Sequence, residues 1–430
     1  MNRRPQPAHP WARRWTRRRW LGAGAGGAAA LAAGPWLPKA DAAALGIDVP
    51  TQGGGAVFTP EFFGFNIHGA LDAGFWPTLR FGAWRIWDTR TNWRDVSPAR
   101  GRWDFAKLDA LVAQGTRAKV RLLLVLGMTP AWASARPQEK GAYGVGCAAP
   151  PADTADWVDY VRRVATRYAG QVHEYQIWNE ANHPDYWSGS LRELVQLIAL
   201  ARREIALADP RATLVAPSGV GLDHRVDWLR DLLAGGAGPL VDVASYHLYH
   251  GAATPETVLQ PALRLMQAKR DAGYAAMPLW STETGYWMAP ARAAGLQFSA
   301  QERLDQVSHG TAARHLPRLL LLARAVGFER FYWYAWDNIK LGFIERDTQE
   351  WRPHAHVLAA FNTLLQGARI HRCSRSDAGL WQCELTLQAG ARALACWVER
   401  GEAPLALRPA AVAALQRFTE QGMQLSLIHI

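Results

Sequence analysis

The chain has 430 residues, 49% of them hydrophobic and 20% charged, the composition of a globular protein. It holds no run of about 18 apolar residues, which excludes a multi-pass membrane protein. A net charge of +11 would suit a nucleic-acid binder, but seven of those charges sit in residues 1–42, leaving +4 for the rest. A domain so mildly basic carries no stripe that demands a polyanion, so no nucleic-acid partner is expected.

Residues 1–42 read as a leader. Arg17-Arg18-Arg19-Trp20-Leu21-Gly22 is a twin-arginine core, followed by a weakly apolar Gly/Ala run and the small-residue site Ala40-Asp41-Ala42. The order matches a twin-arginine signal peptide, which implies contact with that export machinery and a periplasmic or secreted product. An uncleaved leader would instead anchor the chain to the membrane. Gly22-Ala23-Gly24-Ala25-Gly26-Gly27 matches a dinucleotide-binding fingerprint literally. It lacks the preceding strand, following helix and acidic residue that such a site needs, so it is set aside.

Residues 43–61 form a linker that contains a possible strand of a later β module. Short apolar runs then recur at 62–68, 83–88, 120–128, 173–179, 213–217, 243–249, 278–283 and 330–336. Their nearly continuous apolar character suits strands buried on both faces of a parallel sheet. Amphipathic segments between them predict helices over 105–118, 153–168, 190–208, 226–233, 255–271, 300–326 and 354–365, with a weak one at 69–82. Ser190 with Glu193 and Ser299 with Glu302 form capping boxes, and Thr254-Pro255 reads as an N-cap followed by proline at N1. Eight strand–crossover units predict a (β/α)8 TIM barrel over 62–367. A doubly wound open sheet is the alternative.

From residue 368 the period changes to two. Residues 370–373, 381–387 and 393–398 alternate as short antiparallel strands, so 368–430 is expected to be a small C-terminal β module. The terminal run 425–430 lacks an obvious partner strand, which suggests a truncated or foreign end. The four cysteines, Cys147, Cys373, Cys383 and Cys396, contain no C-x-x-C pair. Cys373 and Cys383 could bridge a hairpin or remain buried thiols.

In a barrel the C-terminal strand ends carry the chemistry. The fourth strand ends in Trp178-Asn179-Glu180 and the seventh in Ser281-Thr282-Glu283-Thr284. One glutamate alone would read as a surface or cap residue. Two carboxylates, each emerging from a buried strand, point to a paired functional role.

Trp178-Asn179-Glu180, His247-x-Tyr249 and Thr282-Glu283 resemble the large barrel clan of retaining glycoside hydrolases. Trp84-Arg85-Ile86-Trp87-Asp88-Thr89, Trp103-Asp104-Phe105 and Leu126-Gly127-Met128-Thr129-Pro130-Ala131-Trp132 are similar to glycoside hydrolase family 39. Within that family the likeness is greatest to the Psl-type exopolysaccharide endoglycosidases of bacterial biofilm loci, and it spans about 62–398.

The resemblance implies Glu180 as acid/base, with a raised pKa, and Glu283 as ionised nucleophile, their carboxyl groups about 5–5.5 Å apart. It further implies that Asn179 binds the sugar 2-hydroxyl, that Tyr249 rests on Glu283, and that His247 lines the pocket. Arg85, charged on an apolar strand, would pair with Glu283 or its partners, or form a structural ion pair. Asp88 would contact substrate. Trp336 is expected as the platform under the reacting sugar and Trp132 as a second platform, with Trp333 in the core. His354 and His356 are expected to pack or face solvent. No metal and no organic cofactor is required for hydrolysis by two carboxylates. The substrate would be a polysaccharide or oligosaccharide, cleaved by a monomer in endo fashion. Exo-acting β-xylosidase action is the alternative, although Trp87-Asp88 stands where the xylosidase pattern has His-Gly. A noncatalytic polysaccharide-binding or assembly barrel is the third reading.

Overall fold

Each predicted apolar run becomes a strand because both of its faces find cover. The computed structural model describes residues 47–48, 56–289, 296–377, 379–399, 415–419 and 422–426. The leader therefore lies outside the described residues. Within them, no helix is long and apolar enough to cross a membrane.

The barrel strands are β1 (Phe63–Asn66), β2 (Ala83–Ile86), β3 (Arg121–Leu126), β4 (Glu174–Ile177), β5 (Thr213–Val215), β6 (Ala244–His247), β7 (Leu279–Thr284) and β8 (Phe328–Trp333). All pairings between them are parallel, and β8 pairs with β1. Between β5 and β6 the ring closes through a bridge of Val215 with Val243. The Ala216 amide also donates to the Val243 carbonyl at 2.8 Å. Gly219–Val220, just past β5, pairs with Tyr246 and His247. A closed parallel ring is the TIM barrel, not the open sheet.

Alternation along each strand sends one set of side chains into the lumen and the other toward the helices. Ala83, Leu123, Val215, Val243, Trp280 and Tyr332 form a small apolar cluster separate from the main core. Two residues further along β2, β4 and β7, and along β1 and β6, the same face carries Arg85, Gln176, Thr282, Asn66 and Ser245, all buried. The lumen is apolar in one layer and polar in the next.

The crossover helices are α1 (Ala106–Ala118), α2 (Thr154–Arg167), α3 (Leu191–Ala208), α4 (Trp228–Leu232), α5 (Leu259–Asp271), α6 (His309–Val326) and α7 (Pro353–Leu365). Both capping boxes form as read from sequence. Two local expectations fail. Residues 69–82 fold into turns and bends without a helix. The single helix expected over 300–326 is two, because Ala300–Leu304 stops at Asp305 and Ser308 starts α6 by accepting from the Thr311 amide. Thr254 does stand at the N-cap with Pro255 at the start of the 3-10 turn Pro255–Val258, although its side chain makes no capping bond.

The C-terminal strands β9 (Arg369–Arg375), β10 (Leu380–Thr386) and β11 (Arg392–Val398) are antiparallel. Two short segments ahead of the barrel, Ile47–Asp48 and Ala56–Val57, pair with β9. Cys373 and Cys383 face each other across β9 and β10 and are disulfide-bonded. Trp397 of β11 donates to Glu256 at 2.7 Å, and Arg318 of α6 pairs with the same carboxylate at 2.5 Å. Leu425 and Ser426, the first residues of the terminal run, do have a partner, since Gly422–Ser426 pairs antiparallel with Leu415–Thr419. Residues 427–430 lie outside the described residues.

Gly64 shows how tightly the lumen is filled. A Cβ there would stand 2.6 Å from the Tyr332 ring. Gly64→Ala should cost about 1–3 kcal/mol by overpacking, to be read as a lowered urea midpoint with an unchanged m-value.

Candidate active site

The site begins with a buried cation. Arg85, on β2, is fully buried, and such a charge is tolerated only with partners that replace its hydration. Its Nε donates to Gln176 Oε1 at 2.7 Å, and Nη2 donates to Asn179 Oδ1 at 2.6 Å. Nη1 donates to Glu283 Oε1 at 2.6 Å and to Asn66 Oδ1 at 3.2 Å. One guanidinium thus ties β1, β4 and β7 to β2.

Glu283 Oε2 accepts from the Tyr249 hydroxyl at 2.8 Å. Burial, with the Glu283 charge adding to it, holds the Tyr249 phenol well above its ordinary pKa, so it stays a donor. Both neighbours favour the ionised carboxylate.

Glu180 is set differently. The chain leaves β4 with Trp178 at φ 67° and Glu180 at φ 44°, the left-handed region that non-glycine residues rarely adopt. Trp178 is fixed there by its Nε1, which donates to the Tyr186 carbonyl at 2.6 Å. The Glu180 amide donates to Ser218 Oγ at 3.0 Å. Its carboxyl Oε1 lies 2.9 Å from His247 Nδ1, and that nitrogen is 3.6 Å from Glu283 Oε2. His247 Nε2 lies 3.1 Å from Thr282 Oγ1. One carboxylate oxygen from each glutamate and a His247 nitrogen all fall within 4.8 Å of one another. This trio is the group among the described residues that could also hold a metal ion.

The structure therefore brings together Arg85, Asn179, Glu180, His247, Tyr249 and Glu283. Asp88, at φ 56°, accepts from the hydroxyls of Tyr143 and Tyr334. Burial raises both phenols well above their usual range, with Asp88 adding to the effect, and Glu283 also acts on Tyr334. Tyr143 comes from a hairpin after β3, Lys140–Gly141 with Gly144–Val145, that carries its ring over Trp87 at 5.3 Å.

Trp336 is corrected. It is 1% exposed and packs against Phe65 and Phe343, with ring centroids 5.5 and 6.0 Å away. The chain beyond it folds back, and the Phe343 amide donates to the Trp336 carbonyl at 2.7 Å, so no face is left for a sugar. Tyr334, two residues earlier, is the aromatic residue that β8 delivers beside Asp88. Trp132 is corrected as well: its Nε1 donates to the Ser97 carbonyl at 2.7 Å, and the Arg100 guanidinium covers its ring at 4.9 Å. Trp333 is core, as expected. His354 is buried against Phe343.

Sequence reading missed Asn66, Gln176, Thr282, Tyr143 and Tyr334. Gln176 and Thr282 had a signal, since each is a polar residue two positions from another polar one on an apolar strand. Tyr143 had none, because only the hairpin brings it to Asp88.

No family model matches the chain, and no curated protein does. Solved structures do. A family 39 glycoside hydrolase from Bacteroides cellulosilyticus WH2 superposes with a TM-score of 0.58 at 16% identity, covering 80% of this chain and 72% of that one. The GH39 enzyme from Xanthomonas axonopodis pv. citri gives 0.56 at 19%, covering 77% and 73%. The barrel fold is shared with these family 39 glycoside hydrolases. A GH39 β-xylosidase from Caulobacter crescentus gives 0.57 at 16%, covering 79% of each chain.

Arg85→Met should cost about 3–5 kcal/mol, because it leaves the Glu283 carboxylate buried without its cation. Urea denaturation at neutral pH measures this. A loss below about 1 kcal/mol would mean that Arg85 does not hold the site together.

Proposed function

We propose that the chain is a retaining glycoside hydrolase acting on β-glycosidic bonds. The observation that carries the reading is the pair Glu180 and Glu283, with carboxylate oxygens within 4.8 Å. That spacing is closer to the separation of about 5–5.5 Å in retaining enzymes than to the about 6.5–9.5 Å of inverting ones, and suits a nucleophile opposite an acid.

In this reading Glu283 attacks the anomeric carbon and forms a covalent glycosyl-enzyme. Arg85 and Tyr249 keep it ionised and aim its oxygens. Glu180 gives its proton to the departing oxygen, then takes one from the water that releases the sugar. Its contact with His247 Nδ1 gives that proton a second place to rest before the leaving group departs. Asn179 has an amide nitrogen that is buried and without a protein partner. A sugar hydroxyl would satisfy it, which makes it the donor for the 2-hydroxyl contact. Asp88, between Tyr143 and Tyr334, would accept from another hydroxyl of the same ring.

The substrate we favour is a bacterial exopolysaccharide, cleaved internally by a monomer. Asp88 supports this over the second reading, an exo-acting β-xylosidase, which rests on the xylosidase among the structural neighbours. The third reading, a noncatalytic barrel, leaves the full set of contacts around Glu283 without a purpose. The leader supports export by the twin-arginine route to the periplasm or beyond, and the Cys373–Cys383 bridge suits an oxidising compartment.

A 2-fluoro-substituted aryl β-glycoside should label the chain once, at Glu283, as read by peptide mass spectrometry. Glu283→Gln should lower turnover of the parent glycoside by on the order of 10³-fold or more. Undiminished turnover in that variant would refute the nucleophile assignment. A polysaccharide digest that releases only monosaccharide would refute endo action.

A further inference from the structure

We infer that Glu180, His247 and Glu283 form a binding site for a divalent transition-metal ion, zinc or copper(II), whose occupancy shuts the carbohydrate site. The inference rests on the proposed function, since the same oxygens serve both roles. The three residues are 1%, 0% and 1% exposed. His247 Nδ1 stands 2.9 Å from Glu180 Oε1 and 3.6 Å from Glu283 Oε2. An ion bound tetrahedrally at about 2.0–2.2 Å holds its ligand atoms roughly 3.4 Å apart. The trio already spans no more than 4.8 Å, so small rotations of the two glutamates suffice.

The surrounding contacts are those that orient metal ligands. His247 Nε2 meets Thr282 Oγ1 at 3.1 Å, which lets Nε2 carry the proton and leaves Nδ1 to bind. Thr282 Oγ1 is itself held by Gln176 Nε2 at 3.2 Å. Glu283 is braced by Arg85 and Tyr249, and the Glu180 backbone by Ser218.

One imidazole with two carboxylates selects zinc and copper(II) over magnesium and calcium, which prefer all-oxygen sets. Binding releases to solvent the proton shared by Glu180 and His247, so that the ion meets two carboxylates and a neutral imidazole. With the ion in place Glu283 cannot attack and Glu180 has no proton to give. The metal is a competitive blocker, not a cofactor.

The test uses the full chain freed of metal by chelator, titrated with zinc by calorimetry and with cobalt(II) by its visible absorption. One zinc per chain should bind. Zinc at about ten times its dissociation constant should raise KM about elevenfold by mass action and leave kcat unchanged. Excess chelator should reverse the effect, and magnesium and calcium should do nothing.

Glu180→Gln and His247→Asn, checked for fold by circular dichroism, should each weaken zinc by more than about tenfold. Zinc binding that persists in both variants, or that disappears in Cys396→Ser, overturns the inference. A chain that hydrolyses glycosides but binds zinc no better than about 1 mM retains the glycosidase reading and loses the metal site. A chain that binds zinc through these residues but hydrolyses no glycoside does the reverse.

Discussion

A guanidinium sealed inside a barrel dictates what surrounds it. Arg85 donates to residues of β1, β4 and β7 and to the turn after β4. Each acceptor is buried, so removing any one leaves an uncompensated group in a medium that cannot solvate it. The demand works in both directions. Arg85 holds Glu283 and Asn179 in place, and those residues make a charge on β2 tolerable. The two-layered lumen follows, with an apolar plug of Ala83, Leu123, Val215, Val243, Trp280 and Tyr332 beside a polar network centred on Arg85.

The two glutamates sit at the rim of this network in unequal surroundings. Glu283 meets a cation and a phenol, and both select its charged form. Glu180 meets an imidazole, which can hold or return a proton. Two identical side chains can therefore take opposite roles. The left-handed residues Asp88, Met128, Trp178 and Glu180 all lie just past β2, β3 and β4. Backbone strain gathers where strands hand over to loops at the site, and the indole and hydroxyl contacts of Trp178 and Ser218 sustain it.

Much of this was legible in the sequence. Eight apolar runs gave eight strands because burial on both faces leaves no other pattern. The boundaries moved inward by one to three residues at most ends, where chain polarity does not mark the last ladder bond. The helix over 300–326 broke because two serine caps were present and sequence reading credited one. The aromatic residues were the hardest to place. Trp336 and Trp132 look like sugar platforms by type and position, yet a returning loop covers one and an arginine caps the other. Tyr334 and Tyr143 do not stand out in the sequence, and they are the aromatics that reach Asp88.

The sequence by itself determined the barrel, the two glutamates at the ends of strands four and seven, and the presence of a charge on strand two. Those depend on local hydrophobic period and on position along a strand, which the order of residues encodes directly. Tertiary structure alone decided which aromatics face the site, which cysteines pair, and how far apart the carboxylates stand. These are distances between segments up to about 250 residues apart in the chain. They are fixed by ring closure, by loops that double back, and by the acceptors Arg85 draws inward.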